Sequence, residues 1–382
     1  AERFSNYRPF DDCVQEAESA FRRWLDAQPE AGEPSPESLD RWLALPPLSR
    51  ADSLLREAEN AANHFPRRTM SAPFSLDPPP DAILSSLGDY DLRSTEFSRR
   101  GSFLCLLEND EDRSLYLSVS RSPEMWAQRS CLIRLSPVLG GRELPFEYFA
   151  EPSRLVIRTY AGQVECCFDR DGRLRLRGTG VGLRLSFHMM LFENVCPLED
   201  GCWEAAYQVL GRILFTPLAG TLYCNGVWSP SLCRADDFVL EFLPSTETGV
   251  FEGAAANALS TVPRPDRYDA FDACVADAAA DFESFCTRFP AVRLEHAAMA
   301  RLAAWVVWTH TVGPAGRLKH EIVYMTRIQW LRAFGWQQSF QAIAASRDIR
   351  AAYRLLLTIF DHQDPGGQLP DSVGDIGITY RV

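Results

Sequence analysis

The feature that most constrains this chain is a change in hydrophobic period along its length. From about Asp89 to Leu243, apolar and polar residues alternate in short runs such as "GSFLCLL", "SLYLSVS", "SRLVIRTY", "QVECCF", "RLRLRG", "VGLRLSF" and "DFVLEFL". Turn clusters such as "NDED" and "DRDG" separate them. A period of two at this spacing describes antiparallel strands with one face in a core, and predicts a β-sandwich over residues 89–260. From about Pro265 the period becomes helical. "DRYDAFDACVADAAADFESFCTRFP" predicts one helix ending at Pro290, and "WQQSFQAIAAS" with "RDIRAAYRLLLTIFDHQ" predicts a helical pair. Between them, "RLEHAAMARLAAWVVWTHTV" is apolar on nearly all faces and is expected to be a buried helix. The expected architecture is multi-domain, β then α, almost wholly helical after about residue 265.

The N-terminal residues 1–70 also carry a helical pattern. "DDCVQEAESAFRRWLDAQP" sets Val14, Ala17, Phe21, Trp24 and Leu25 on one stripe and ends at Pro29. The Pro-rich passage "SAPFSLDPPPDA" predicts a linker over residues 71–88. Phe10–Pro29 aligns without a gap on Phe271–Pro290, with seven of twenty positions identical. Two amphipathic helices reach such similarity by chance; alternatively, the N-terminal helices imitate, and pack beside, the helix after the sandwich.

The net charge of −12 argues against nucleic acid, because phosphate binding needs clustered cations and the nearest runs, "SRRGS" and "FPRRT", hold two arginines each. The apolar runs are too short to span a membrane. The N-terminal "AERFSNYRPFDD" lacks a signal-peptide pattern, so a cytoplasmic location is expected unless such a peptide has been removed. Eleven cysteines are an odd number at irregular spacing, with no C-x-x-C pair and no histidine at zinc spacing. They are read as buried free thiols, or as a few surface disulfides in a secreted protein; no metal or cofactor is predicted. Cys166 and Cys167, adjacent in a strand, should face opposite sides. "GTGVG", Gly178 to Gly182, lies between two strand patterns, which favours a tight turn over a phosphate loop.

Polar residues concentrate where helices meet loops: "HEIVYMTRIQW", "GWQQSF", "FDHQDPGGQLPD" and "VGD". Aromatic faces that stack on a pyranose, beside amides, carboxylates and arginine that bind its hydroxyls, make a sugar site. Glycoside hydrolysis adds a protonated carboxylic acid and a second carboxylate. Asp371 and Asp375 are the candidate carboxylates, and Trp336 is the candidate stacking platform. Each has a plainer reading: a turn residue for the aspartates, a core aromatic for Trp336, a backbone-satisfying side chain for His362.

Together, the sandwich, the linker helix and "VYMTR…FGWQQSFQAIAAS…LLLTIFDHQDPGGQLPDSV" resemble glycoside hydrolase family 63 and its bacterial relatives, which include processing α-glucosidases and mannosyl-oligosaccharide glucosidase. The resemblance is close over Tyr324 to Asp371 and looser over the strands. It implies a β-sandwich joined to an (α/α)6 barrel and an inverting mechanism on α-glucosidic or related oligosaccharide linkages. It further implies Asp375, or Asp371, as the acid, with Tyr324, Arg327, Gln337, Gln363 and His362 in the substrate-binding set beside Trp336. Two positions depart from the family pattern: Gln337 stands where an aspartate follows the tryptophan, and Ile328 where an asparagine follows the arginine. Both bear on the glucosyl preference and on activity itself. The alternative is a non-catalytic carbohydrate-binding or scaffold protein derived from such an enzyme. Twelve helices need roughly 200 residues, and residues 265–382 number 118. A second chain or a further C-terminal segment is therefore expected to complete the barrel and to supply the base.

Overall fold

The computed structural model describes residues 90–109, 112–121, 132–190, 192–198, 200–229 and 234–380, all within Ala72–Val382, the second of two compact units. The helical segment and linker expected over residues 1–88, and with them the first half of the internal echo, lie outside the described residues.

The strands are β1 (Leu104–Glu108), β2 (Leu115–Val119), β3 (Ile133–Leu139), β4 (Arg142–Glu143), β5 (Glu147–Glu151), β6 (Arg154–Arg158), β7 (Gln163–Phe168) and β8 (Leu174–Thr179). They continue as β9 (Gly182–Phe187), β10 (Asn194–Pro197), β11 (Trp203–Tyr207), β12 (Gly211–Ala219), β13 (Thr221–Ser229), β14 (Arg234–Leu243) and β15 (Val250–Ala258). One sheet runs β1-β2-β3-β9-β14-β13 with β4 on β3; the other runs β10-β11-β12-β15-β8-β7-β6-β5. The pairing is antiparallel, as the alternating pattern predicts. In β9, for example, Leu183, Leu185 and Phe187 are buried while Arg184 and Ser186 are not fully so. Leu185, Leu240 and Phe242 of the first sheet share one core with Ile157, Leu176, Phe215 and Phe251 of the second. This is the expected sandwich.

Two glycines make room for its central ring pair. Phe242 and Phe251 stack across the sheets at 5.7 Å with 22° between their planes. A Cβ on Gly178 would lie 1.9 Å from the Phe251 ring, and one on Gly253 would lie 2.3 Å from the Phe242 ring. The "GTGVG" stretch turns at Gly180, with φ +74°. Because β8 and β9 belong to different sheets, this turn carries the chain across the sandwich. Cys166 enters the shared core, and Cys167 points outward against Phe271 and Cys274, as strand alternation requires. The eight cysteines among the described residues are free thiols.

The helices are α1 (Phe271–Cys286), α2 (Ala297–His310), α3 (Gly335–Ala344) and α4 (Ile349–Phe360). The amphipathic α1 buries Phe271, Cys274, Ala278, Phe282 and Phe285, and the first four are echo positions shared with the N-terminal segment. The region after residue 265 is less helical than its period predicts. Between helices lie β16 (Thr311–Val312) paired with β17 (Ile322–Val323), and a small sheet of β18 (Ala333–Phe334), β19 (Ser372–Val373) and β20 (Ile378–Thr379). "GPAG" and "DPGGQLP" stop helices there, since proline lacks the amide and glycine favours turns. The expectation of a buried α2 also needs correction. Its last turns bury Trp305 and Trp308 in the sandwich core, but Met299 is exposed, and Leu294, just before the helix, is 92% exposed. The result is a β-rich domain followed by a helical part of four described α-helices, fewer than a closed (α/α)6 barrel contains.

The ring pair generates a test. Gly253→Val should push Phe242 off its seat and cost about 1–3 kcal/mol, read as a lower urea midpoint at unchanged slope. Gly335→Ala, whose added carbon meets nothing nearer than 3.9 Å, should leave the midpoint where it is. Equal midpoints for both variants would show that the rings are not held by the glycine seat.

Candidate functional site

The stretch Glu96 to Phe103, "EFSRRGSF", joins the sandwich to the helical part. Glu96 meets His310, the last residue of α2, at 3.3 Å. His310 Nδ1 lies 2.7 Å from the Val306 carbonyl, which only accepts, so Nδ1 carries a proton. Burial pushes the Glu96 carboxyl up, but the hydrogen bond and charge of His310 outweigh it and hold the group below its ordinary value. Arg99 pairs with Asp277 and Asp281 at 2.8 and 2.9 Å, and Arg100 with Asp281 and Glu321 at 2.6 and 3.0 Å. Arg327 is fully buried. Its Nη2 donates to Ser98 Oγ at 3.1 Å and to the carbonyls of Ser102 and Leu104 at 2.8 and 3.0 Å. Arg327 therefore fastens the helical part to the sandwich, where the sequence placed it among hydroxyl-binding residues.

The corner after α4 is largely self-satisfied. Asp364 Oδ1 accepts the Gln368 amide at 2.7 Å, and Gln363 Nε2 donates to the Gly367 carbonyl at 2.8 Å across a glycine with φ +92°. His362 Nε2 sits 2.9 Å from the Arg317 carbonyl. Gln363 and His362 thus shape the loop, which is the plainer reading for His362. Asp371 acts through its main chain: its carbonyl accepts the Gly335 amide at 3.1 Å, and its own amide donates to Thr379 at 2.9 Å. Ser372 and Val373 pair as strand residues with Phe334 and Ala333 on one side and with Thr379 and Ile378 on the other. The head of α3 is set beside the aspartate corner by these bonds. Trp336 in its first turn is 57% exposed, edge-on to Phe340 with ring centroids 6.4 Å apart. Gln337 Nε2 donates to the Tyr324 carbonyl at 3.2 Å, and its Oε1 is buried without a partner.

Asp375 lies deeper. Its side chain is 0% exposed and ion-paired with Arg121, and the Tyr324 hydroxyl donates to Oδ1 at 3.3 Å. Burial pushes the carboxyl above its ordinary range; Arg121 and then Tyr324 oppose that push. Arg121 Nε donates to Asn257 Oδ1 at 2.7 Å, and its guanidinium covers the Phe103 ring at 3.8 Å. Asn257 in turn donates to the Leu210 and Arg212 carbonyls. On the other side of Arg121 opens a cleft of about 470 Å³, also lined by Phe103, Arg173, Asn257 and Gly316. The cleft includes none of Trp336, Gln337 and Asp371. The sequence reading missed Arg121, Asn257 and Phe103; its one trace was an arginine closing the alternating run "SLYLSVSR". Among the described residues no cluster of His, Cys, Asp or Glu is arranged to hold a metal, and no helix is long and apolar enough to cross a membrane.

No family profile matches the chain, and no curated protein matches it. Among solved structures it is similar to a family 92 glycosyl hydrolase, with 11% identity and a TM-score of 0.42 over 69% of this chain and 47% of the other. It is also similar to a family 81 glycoside hydrolase from Clostridium thermocellum, with 11% identity and a TM-score of 0.28 over 49% of this chain and 28% of the other. The chain spans less than half the length of either structure.

Two measurements probe the buried charges. Asp375→Ala strands the Arg121 charge and should cost about 3–5 kcal/mol, much of it recovered when Arg121→Met is added; additive losses would mean the two do not act as a pair. The depressed Glu96 carboxyl contributes stability that is present above its unfolded value, about pH 4.3, and is lost as the pH falls through the folded value. Glu96→Gln should therefore flatten the acid limb of the stability profile below about pH 5, and an acid limb as steep as the parent's would count against it.

Proposed function

We propose that this chain forms the sandwich and the first helical hairpin of an inverting glycoside hydrolase acting on α-glucosidic or related oligosaccharide linkages. The observation that carries the reading is the Gly335–Asp371 bond, which brings the Trp336 helix head and the aspartate corner side by side. Trp336 offers an exposed ring to the C–H face of a sugar, and the unpartnered Oε1 of Gln337 is an acceptor for a hydroxyl. Asp375 is the general acid, its proton favoured by burial once Arg121 turns toward the cleft. An inverting mechanism also requires a base roughly 6.5–9.5 Å from the acid.

A second observation agrees. The α3–α4 hairpin exposes Phe340 at 66%, Ile343 at 69% and Ile349 at 78%, with Tyr353 and Phe360 also exposed. So many exposed large apolar side chains on one hairpin fit packing against other protein surface better than they fit water. The alternative, a non-catalytic carbohydrate-binding or scaffold protein, is favoured by one feature: the Asp375 carboxyl is sealed behind its Arg121 pair.

The test is hydrolysis of a panel of α-linked glucose disaccharides by the full-length protein, with the first-formed anomer identified by NMR. Inverted product is expected. Asp375→Asn should lower kcat by two to four orders of magnitude, roughly the general-acid contribution, with KM little changed and folding checked by thermal melt. Trp336→Ala should chiefly raise KM. Undiminished turnover in Asp375→Asn would remove the acid role from that residue. Sugar binding without turnover, abolished by Trp336→Ala, would establish the binding-protein alternative.

A further inference from the structure

A cationic pocket lies away from the aspartate corner, where the end of α1 meets α4. Two adjoining cavities of about 260 and 460 Å³ share Arg288, Asp348 and Arg350 in their walls. Arg354 and Glu321 line the first, and Arg347 lines the second. Four arginines thus face two carboxylates, a surplus of two positive charges in a chain whose net charge is −12. The carboxylates are already engaged. Glu321 holds Arg100 at 3.0 Å and reaches Arg288 only at 3.8 Å, while Asp348 lies 3.4 Å from Arg288 and accepts the Ala351 amide as the cap of α4. Arg347, Arg350 and Arg354 are exposed, and their guanidinium groups form no hydrogen bond or ion pair among the described residues. Arg350 and Arg354, four residues apart, lie on one side of the first turns of α4, and Arg347 stands in the turn just before the Asp348 cap. Burial and the nearby charge of Arg100 push Arg288 below its ordinary range, as expected where cations crowd. The floor of the first cavity is apolar, with Phe285, Val307 and Leu355.

We propose that this pocket binds a phosphate dianion, free or as a monoester whose organic part rests on the apolar floor. Guanidinium forks match phosphate oxygens in pairs, and the surplus of two charges equals that of the ligand. The site shares none of Trp336, Gln337, Asp371 and Asp375; Ile349, in the wall of its second cavity, is the one residue it has in common with the exposed apolar residues named above on the α3–α4 hairpin.

Calorimetric titration of the full-length protein with inorganic phosphate and with phenyl phosphate tests it. Saturable binding is expected, weakened at least tenfold in Arg350→Gln/Arg354→Gln and also in Arg347→Gln. Arg142→Gln, an exposed arginine on β4, should leave binding unchanged. Tighter binding of phenyl phosphate would assign the ligand as an organic monoester; equal affinities would assign inorganic phosphate. The absence of saturable heat with both probes, or the same affinity in parent, double variant and Arg347→Gln, overturns the proposal. Circular dichroism of each variant separates lost binding from lost fold.

Discussion

The helical part depends on charges buried at its seam with the sandwich, above all the pair of Arg121 and Asp375. Neither ion is stable alone in that place, because an isolated charge out of water costs several kcal/mol. Each domain therefore brings half of a neutral object. The Tyr324 hydroxyl and the Asn257 amide complete it from opposite sides, so the pair also specifies how the two domains meet. Arg327 works in the same direction with a different chemistry, passing a guanidinium from the helical part into carbonyls of the sandwich. A hydrophobic seam would tolerate sliding; this one admits a single register.

The sandwich was legible because strand alternation is a local signal. Leu183, Leu185 and Phe187 announce their face without knowledge of their partners. The helices of the second half were legible for the same reason, and the outward Cys167 followed from its neighbour. What stayed illegible is non-local. Nothing near Arg121 says that its partner lies 254 residues away, and nothing near Arg327 says that its donors face backbone of another domain. The helical period also overstated α2, since apolar residues mark what a segment could bury and not what it meets. At the corner, the polar density of "FDHQDPGG" was read as ligand chemistry; Asp364 and Gln363 bond within the loop itself, and His362 meets the distant Arg317 carbonyl. The main-chain bond from Gly335 to Asp371, which sets the head of α3 beside the aspartate corner, likewise has no local signal in either motif.

Under the proposed function, Asp375 has to serve two demands. As half of an ion pair it keeps the domains in register; as an acid it needs a proton and an open face. The same guanidinium that neutralises it also separates it from the cleft. A rotation of Arg121 toward the cleft would expose the carboxyl and withdraw the charge that favours its ionised form. On that proposal, catalytic readiness and domain attachment would be opposite settings of one side chain.

The separation of 254 residues between Arg121 and Asp375 also orders events in time. On a ribosome, β2 and its sheet emerge long before Asp375 is synthesised. Until then Arg121 must remain solvated, so the edge of the sandwich near Phe103 stays open to water while the remainder of its core closes. Closing so long a loop is entropically slow to reward. The interdomain seam is consequently a late-forming structure, and the nascent sandwich passes through a stage in which its helix-facing surface is the part a chaperone would meet.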